Sequence, residues 1–576
     1  MSLNVLLRPI QSRPAFMLCV IALLLQNTIF KYHEWHWDSV VRYVSMAVLY
    51  SYVLTWLVWY GKNKVLKIVF YSFLLLVCLV NFFLYFHFKS SISPNMLLLI
   101  AETNANEAAE FFSMYIFSFR TFWSFCLLLV AIGMILVVER YELLLSKWIS
   151  GHRRLSMALR WLIILLLTMG LIAHGSYLSL LQCRSTVDVD EWVTEKHAVP
   201  MDNISNLFFC VYDLNLAREE QSLAVEATKK YVNLMDTIDN SDSIDVVVVI
   251  GESYIKWHSE LYGYGLHTTP YMKKEQEEGN LYAFTDVLAP FNTTSKVLRN
   301  VFSCNSLGYQ ENWFDYPFFP AFFKRAGYRV LFWDNQYDSS SRESFDFSLN
   351  SYLHNPDISS ISYDAVNERT YDLDGDMLQS FWKSYMKTRG VHTLSILHMM
   401  GQHIAYYNRF PHKAPYHHFT KDSILRHEPW MTDEKRQLIA DYDNATYYND
   451  AVLKRIFDFY RQRNAIVVYF SDHGEEVYDY QNHAGRRHEK LVDGNLLKYQ
   501  YEVPFIIWCS DSFIKTHENL VSSVRKSLNR PLSLDNVCQL LFHLGAVRTP
   551  AYHPDRDIIS SSYQCPPRIV NDRRVH

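Results

Sequence analysis

The stretch VVYFSDHGEEVYD, from Val467 to Asp479, decides how the C-terminal half of this chain folds. It opens with four residues that are β-branched or aromatic, as in a buried strand. Asp472 and His473 follow the strand, and Gly474 then permits a turn that other residues disfavour. The stretch therefore predicts a polar strand end, which is either an ordinary turn or one half of a metal site whose other ligands lie elsewhere in the chain.

Short apolar runs of the same kind recur after residue 243, and helical segments such as Glu434 to Arg461 separate them. This alternation predicts an α/β domain with a mostly parallel central sheet. In such sheets, ligands gather at the carboxyl ends of the strands. The runs are Ile244–Ile250, Tyr328–Trp333, Thr393–Leu397, Ala465–Phe470 and Val503–Trp508.

Polar side chains follow several of these runs. Glu252 comes after the first run, His398 and His403 follow the third in LHMMGQH, and His483 lies beyond the fourth in YQNHAG. Carboxylate oxygens and imidazole nitrogens suit zinc, and manganese less specifically. Each residue alone fits a helix cap, a turn or a core histidine. Because all of them meet at one sheet edge, together they predict a catalytic metal site.

A hydroxyl nucleophile is available in LAPFNTTSKVLRNVFSC, between the first two runs. Thr293, Thr294 and Ser295 stand where a helix can begin. A helix N-terminus favours both an alkoxide and a phosphate. The alternative is that one of these residues only caps the helix, and the residues by themselves leave that choice open.

The first 182 residues differ from the rest, because they contain five long runs without Lys, Arg, Asp or Glu. Most of these runs approach the ~20 residues that a helix needs to cross a bilayer. The first is short and interrupted by Gln26 and Asn27, and no cleavage site follows it, so we expect an uncleaved span. The sequence thus predicts a transmembrane domain over 1–182. Its spans are 15–30, 43–60, 68–88, 122–138 and 161–181.

Basic residues in the short loops orient these spans. Arg8 and Arg13 precede the first span and a basic group lies between the fourth and fifth spans, whereas the outer loops carry few such residues. The N-terminus is therefore expected in the cytoplasm, and everything after about residue 182 outside it. In a bacterium this means the periplasm or the cell surface. We expect residues 183–243 to form a linker, and the outer loop 89–121 to contain an amphipathic helix at the membrane surface.

Charge and cysteine content narrow the possible partners further. With 55 Lys and Arg against 59 Asp and Glu, the formal net charge is −4, which gives no support for nucleic-acid binding. Six of the nine cysteines follow residue 182 and are able to oxidise outside the cytoplasm. Their pairing stays open. They are Cys183, Cys210, Cys304, Cys509, Cys538 and Cys565.

The order of these motifs resembles that of the bacterial phosphoethanolamine transferases. GES, LYGY, TTP, the threonine-bearing helix start, WDNQ (Trp333–Gln336), HMMGQH, YDNA (Tyr442–Ala445) and SDHGEE occur here in the family's order. The resemblance covers nearly the whole chain. It implies a five-span enzyme of the bacterial inner membrane whose residues 244–576 form an alkaline-phosphatase-like, sulfatase-type catalytic domain in the periplasm.

The resemblance also implies roles for individual residues. Glu252, Asp472 and His473 match the family's zinc ligands, and Thr294 matches the threonine nucleophile that also coordinates the metal. Two further histidines match residues near the substrate phosphate or a second metal, and one matches a family histidine of less defined role. The first two are His403 and His483, and the third is His258.

The chain departs from the family pattern just before the nucleophile segment. Many lipid A enzymes place Cys-Gly there, whereas this chain has Phe291 and Asn292. One expected disulfide is thereby removed, and Thr293 remains an alternative to Thr294. The stretches AETNANEAAEF and SDHGEEVYD resemble most the subgroup that modifies the heptose of the lipopolysaccharide core.

The implied reaction transfers phosphoethanolamine from phosphatidylethanolamine to a lipopolysaccharide acceptor, core heptose or lipid A, through a covalent phosphothreonine. It uses one tightly bound Zn²⁺, and a second ion stays open. The alternatives are a phosphoglycerol transferase of the lipoteichoic-acid-synthase type, transfer to another surface glycan, and an inactive scaffold. A sulfatase is disfavoured because CPPR, at Cys565–Arg568, is one residue shorter than the Cys-x-Pro-x-Arg context that sulfatases need.

Overall fold

The computed structural model describes residues 13–30, 37–61, 64–88, 91–94, 97, 119–151, 153–186, 188–189, 192–193, 200–234, 243–309, 312–336, 353–354, 356–388, 392–486, 493–571 and 573–575. The described contacts divide the chain into two units, Met1–Glu219 and Glu220–His576. The amphipathic helix expected within 89–121, including AETNANEAAEF, lies almost entirely outside the described residues.

The described residues of the first unit form five apolar helices, the number that the sequence predicts. Four of them include segments that are long and apolar enough to cross a membrane, namely Trp37–Val58, Lys64–Phe86, Thr121–Leu144 and Arg160–Gln182. The first helix has only a shorter apolar segment, Pro14–Gln26, which agrees with its interrupted sequence. The helices are α1 (Pro14–Phe30), α2 (Trp37–Gly61), α3 (Lys64–Phe88), α4 (Phe119–Gly151) and α5 (Arg153–Tyr177), and α6 (Asn203–Asn233) follows them.

A buried amide ties three of these helices together. The Asn203 side chain, at the start of α6, accepts hydrogen bonds from Asn81 Nδ2 at 3.1 Å and Gln26 Nε2 at 3.3 Å. Its own Nδ2 donates to the carbonyl of Leu23 at 2.9 Å. Since buried polar groups are costly unless they are paired, this network favours one arrangement of α1, α3 and α6.

The second unit is built on a seven-stranded sheet in the order β2-β7-β6-β1-β5-β3-β4. Only β7 runs antiparallel to its neighbours, β6 and β2. The prediction of a mostly parallel α/β sheet is therefore confirmed. The strands are β1 (Asp245–Gly251), β2 (Leu281–Ala283), β3 (Arg329–Asp334), β4 (Ala365–Val366), β5 (Thr393–His398), β6 (Ala465–Ser471) and β7 (Phe505–Cys509).

The central strands are buried on both faces, which explains their continuous runs of valine and isoleucine. Residues 246–251 of β1 and all seven residues of β6 are buried. Helices cover the sheet, and the helix Asp433–Tyr460 supplies Val452, Leu453 and Ile456 to a core shared with Val247 and Val467. The helices are α7 (Pro270–Glu278), α8 (Thr294–Phe302), α9 (Phe319–Arg325), α10 (Pro356–Ser362), α11 (Asp374–Thr388), α12 (Asp433–Tyr460), α13 (Asp511–Thr516), α14 (Glu518–Lys526) and α15 (Val537–Leu544).

Strand register brings the functional segments to one edge of the sheet. β1 lies between β5 and β6 and is parallel to both, so Ile250 stands opposite His398 on one side and Phe470 on the other. On the far side of β5, Asp334 of β3 is also opposite His398. The residues that follow these strand ends therefore converge, as the rule for parallel sheets requires.

Candidate metal centre and nucleophile

Glu252, Asp472 and His473 form one buried cluster beyond the ends of β1 and β6. One ligand atom of each residue lies within 4.8 Å of the others, and all three side chains are fully buried. The parallel register produces this arrangement, because Gly251 pairs with Ser471 and the Asp472 amide then donates to the Gly251 carbonyl at 3.1 Å. Two carboxylates and one imidazole are a donor set that suits zinc.

The histidine is turned so that its Nε2 faces both carboxylates. Its Nδ1 lies 2.8 Å from the carbonyl oxygen of Gly474, which can only accept a hydrogen bond. Its Nε2 lies 3.3 Å from Glu252 Oε1 and 3.2 Å from Asp472 Oδ2. A backbone carbonyl on the second ring nitrogen is the usual way in which a protein orients a metal-binding histidine.

The two buried carboxylates of the cluster favour a bound cation. Burial and the neighbouring charge of Glu252 raise the pKa of Asp472 to about 6. Burial opposes ionisation of Glu252 too, but attraction to His473 and Arg486 holds its pKa well below the usual range. Oδ2 of Asp472 is buried and has no hydrogen-bond partner among the described residues. A buried carboxylate oxygen that accepts no hydrogen bond and lies beside a second carboxylate fits a divalent metal ion.

Thr294, and not Thr293, lies against this cluster. The Thr294 hydroxyl donates to Glu252 Oε2 at 3.0 Å and lies 3.4 Å from His473 Nε2. Thr294 is the first residue of α8, and Thr293 precedes it in extended backbone conformation without a capping side-chain bond. In the described part of the chain, the buried Thr293 hydroxyl has no hydrogen-bond partner. The helix start therefore distinguishes the two adjacent threonines, and the one beside the cluster is Thr294, which the resemblance implies as the nucleophile.

Gln336, the last residue of WDNQ, contacts the cluster directly. Its Nε2 donates to Glu252 Oε2 at 3.0 Å and to the carbonyl of Met399 at 2.8 Å. The preceding Asn335 donates to Asp374 at 2.8 Å, and Asp374 accepts from the amides of Met400 and Gly401. The sequence alone gives WDNQ no role beyond its part in the family resemblance. Its position at the end of the predicted strand Tyr328–Trp333 nevertheless indicates that it lies at the same edge of the sheet.

His403 lies in a loop beside the cluster, where it interacts with Glu252, whereas His483 lies in a separate loop after β6. The amide of Gln402 donates to the Glu252 carbonyl at 2.9 Å, which fixes the loop that carries His403. Burial, with the charges of Arg409 and Arg486, lowers the pKa of His403. His483 lies just before the second strand of a small hairpin, Glu476–Val477 with Ala484–Gly485, which returns the chain toward β6.

Arg486 follows the same hairpin and was not singled out from the sequence. Its Nη1 donates to His473 Nε2 at 2.9 Å and to the Asn292 carbonyl at 3.3 Å. Its Nε lies 3.7 Å from Glu475 Oε2. The guanidinium therefore contributes positive charge beside the carboxylates. No sequence signal separates it from neighbouring basic residues.

His398 belongs to a different group from the cluster. Its Nδ1 lies 2.9 Å from Asp334 Oδ1, and the other oxygen of Asp334 lies 2.8 Å from His354 Nε2. Burial opposes ionisation of Asp334, but the two histidines hold its pKa below the usual range. This pairing joins β3 to β5 and leaves His398 outside the three-residue cluster.

Comparisons with known proteins identify relatives of this chain. A model of the sulfatase family matches residues 244–527. Phosphoethanolamine transferase EptC of Escherichia coli K12 is 25% identical over 492 residues, which are 83% of this chain and 80% of that protein. Kdo(2)-lipid A phosphoethanolamine 7''-transferase of Salmonella typhimurium is 31% identical over 127 residues, 22% of this chain and 21% of that protein.

The fold of the second unit also has a solved counterpart. The crystal structure of the C-terminal periplasmic domain of EptC from Escherichia coli superimposes with a TM-score of 0.51 at 25% sequence identity. The match covers 59% of this chain and 93% of that domain. The sheet and its helices thus have the fold of a sulfatase-like α/β domain.

Proposed function

Because this chain belongs to the phosphoethanolamine transferases of the alkaline phosphatase and sulfatase superfamily, we propose that it transfers phosphoethanolamine from phosphatidylethanolamine to lipopolysaccharide. The acceptor is core heptose or lipid A, and the heptose is favoured by the AETNANEAAEF and SDHGEEVYD stretches. The observation that carries the proposal is the Thr294 hydroxyl, held 3.0 Å from Glu252 inside a buried carboxylate and imidazole cluster.

Glu252, Asp472 and His473 would hold one Zn²⁺, with the Thr294 hydroxyl as a fourth donor. When bound, zinc lowers the pKa of a hydroxyl and offsets negative charge on a phosphoryl oxygen. Two atoms support this assignment: Oδ2 of Asp472, which accepts no hydrogen bond from the described residues, and Nε2 of His473, which lies 3.2 Å from it. The position of Thr294 at the N-terminus of α8 adds a favourable dipole for an alkoxide and for a phosphate.

The reaction proceeds in two displacement steps at phosphorus. The Thr294 oxygen attacks the phosphorus of phosphatidylethanolamine, its proton passes to a base, and diacylglycerol leaves with a proton on its oxygen. Phosphoethanolamine is then bonded to Thr294. A hydroxyl of the acceptor attacks the same phosphorus and loses its proton, and the Thr294 oxygen regains one as it leaves.

His403 and His483 bind the substrate phosphate and move these protons. The lowered pKa of His403 keeps its imidazole neutral near neutral pH, so the ring is able to accept a proton. The nearby charge of Arg486 favours a phosphate group at the same place. The two histidines come from loops after β5 and β6, the two strands that flank β1.

The apolar helices of the first unit support a location of this chemistry at a membrane. We assign residues 1–182 to a domain of five spans in the bacterial inner membrane, 183–243 to a linker, and 244–576 to the periplasmic catalytic domain. Four helices meet the length and composition that spanning requires, and the shorter first helix completes an odd number of spans. Both substrates are lipids, so an anchored enzyme meets them without extracting them from the bilayer.

Two measurements test the function. Lipopolysaccharide from cells that express the chain is expected to gain one phosphoethanolamine group by mass spectrometry, and cells that express Thr294→Ala are expected to show none. Phosphatidylethanolamine labelled in its ethanolamine is expected to transfer the label to the peptide containing Thr294. A glycerol phosphate group on that peptide would instead identify a phosphoglycerol transferase.

A further inference from the structure

His258 is a buried imidazole held between two carboxylates. Its Nδ1 lies 2.7 Å from Asp443 Oδ1, and its Nε2 lies 2.9 Å from Asp479 Oδ1. The histidine is 2% exposed, and both carboxylate side chains are buried. A carboxylate on each ring nitrogen favours the imidazolium, in which both nitrogens donate.

Two tyrosine rings pack against the imidazole of His258. Tyr264 stacks on it at a centroid distance of 4.6 Å and donates through its hydroxyl to Asp443 Oδ2 at 3.0 Å. The edge of Tyr442 covers another side at 5.2 Å. Burial alone would disfavour the charged ring, but attraction to Asp479 and Asp443 outweighs it and raises the pKa of His258 to about 10.

The two segments joined by the His258–Asp479 bond are those that carry the cluster. His258 follows Glu252 by six positions, and Asp479 follows His473 by six positions. At the near end, the Ser253 amide donates to Asp472 Oδ1 at 3.1 Å. The segments 252–258 and 472–479 are therefore joined twice, beside the cluster by the Ser253–Asp472 bond and further along both segments by the His258–Asp479 bond.

The helix α12 holds the first of these segments in place. The Tyr442 hydroxyl donates to the Ser253 carbonyl at 2.6 Å and accepts from the Ile255 amide at 2.7 Å. Asp443, next along the helix, binds His258 from the side opposite Asp479. Only Asp479 belongs to a segment that carries cluster residues, because Asp443 is part of the helix.

We propose that His258 is a positioning residue for the metal centre, clamping the segment of Glu252 onto the segment of His473 through Asp479. This assignment rests on the proposed zinc site. Metal ligands must meet their ion within about 0.2 Å of the ideal distance, so a looser clamp weakens binding. Loss of such a supporting contact typically lowers metal affinity by about 10- to 100-fold.

Two isosteric variants of the full-length chain in detergent test the assignment. Asp479→Asn and Asp443→Asn each replace one carboxylate on His258 by an amide, but only the first touches a cluster-bearing segment. Zinc affinity is measured by competition with a chromophoric chelator. We expect the dissociation constant for zinc to rise about 10- to 100-fold in Asp479→Asn. In Asp443→Asn the bond between His258 and Asp479 is retained, and we expect the same constant to change by less than about threefold.

Further variants separate positioning from general damage. The thermal midpoint of the zinc-free chain is measured for each variant, and we expect similar losses for the two aspartate substitutions. Zinc affinity is also measured for His258→Gln and for the double variant His258→Gln with Asp479→Asn. The double variant is expected to bind zinc no more weakly than the single variant with the lower affinity, because both substitutions remove the same His258–Asp479 bond. His267→Gln is the exposed control, since His267 also binds a carboxylate, Glu260, at 2.9 Å.

The outcomes distinguish this assignment from the proposed function. Equal weakening of zinc binding by Asp479→Asn and Asp443→Asn, or no weakening by the first, overturns the positioning role. If the wild-type chain binds zinc and labels Thr294 while Asp479→Asn keeps full zinc affinity, the positioning role alone is wrong. A wild-type chain that binds no zinc overturns the metal centre and the positioning role with it.

Discussion

The hydroxyl of Thr294 donates to Oε2 of Glu252 across 3.0 Å, although the two residues are 42 positions apart in the chain. The contact exists because α8 begins beside the end of β1. The adjacent Thr293 hydroxyl has no such contact in the described residues. The two threonines therefore form a matched pair for testing the nucleophile.

Replacing each threonine by alanine should have opposite consequences. Thr294→Ala is expected to lower phosphoethanolamine transfer at least about 10³-fold, because the attacking oxygen is removed. Thr293→Ala should retain nearly full activity, since its side chain makes no capping bond. Transfer from labelled phosphatidylethanolamine to lipopolysaccharide measures both. Equal losses would mean that the helix start, and not one hydroxyl, is required.

Asp472→Asn should remove zinc from the purified chain. The amide keeps the shape of the carboxylate but loses the charge that a divalent ion needs, so affinity should fall by at least about 100-fold. Metal content after gel filtration, determined by elemental mass spectrometry, gives the result. Asp422→Asn, at an exposed position in the same unit, is the control and should retain the metal. Unchanged zinc in Asp472→Asn would refute the metal centre.

Gln336→Leu should weaken zinc binding at the same site, although the substitution replaces none of the proposed ligands. The substitution removes the hydrogen bonds from Gln336 to Glu252 and to the Met399 carbonyl, and both orient the segment around Glu252. An increase of about 10- to 100-fold in the zinc dissociation constant is expected. Gln437→Leu is the matched control, because that half-buried amide donates to Asp441 instead. Identical zinc affinities for the two variants would contradict the role of WDNQ.

The second unit should become less stable at alkaline pH, because His258 then loses the proton that stabilises its bonds to two carboxylates. The pKa of His258 is raised to about 10 in the folded chain, against about 6.5 for an unperturbed histidine. When the pKa of a histidine is higher in the folded chain than in the unfolded chain, its ionisation stabilises the fold fully at pH values below the pKa of the unfolded chain. This stabilisation is lost as the pH rises through the pKa of the folded chain. The difference in free energy of unfolding between wild type and His258→Gln should fall by about 3 kcal/mol between pH 6.5 and pH 9.

Chemical denaturation of the zinc-free chain in detergent, at both pH values, measures this difference. Comparison with His258→Gln cancels the other groups whose ionisation affects stability, such as Asp450. The carboxylates Asp443 and Asp479 and the hydroxyl of Tyr264 are present in both chains. A difference that does not depend on pH would show that His258 is neutral when folded.

Cys565 provides a test of the location of the catalytic unit. It is exposed, whereas Cys304, Cys509 and Cys538 of the same unit are buried. After mild reduction, a maleimide that cannot cross the inner membrane should label Cys565 in cells with a permeabilised outer membrane. Cys565→Ser should abolish this labelling. Labelling only after lysis of the inner membrane would place the unit in the cytoplasm.

The sequence determined the sheet and the residues at its edge. Continuous runs of β-branched residues predict strands that are buried on both faces, and the strand predicted at Ala465–Phe470 is one residue shorter than β6. The helix predicted over Glu434–Arg461 begins one residue earlier, at Asp433, where the Thr432 side chain accepts a bond from the Lys435 amide. These features are local, and short-range patterns encode them.

Tertiary structure decided the individual contacts that these residues make at the sheet edge. Strand order places β1 between β5 and β6, and this brings Glu252 beside Asp472 and His473. It also gave Glu252 a contact with Gln336 and joined His258 to Asp479. No periodicity predicts such pairs. A buried polar group must find a partner once water is excluded, and only the folded chain determines which partner is within reach.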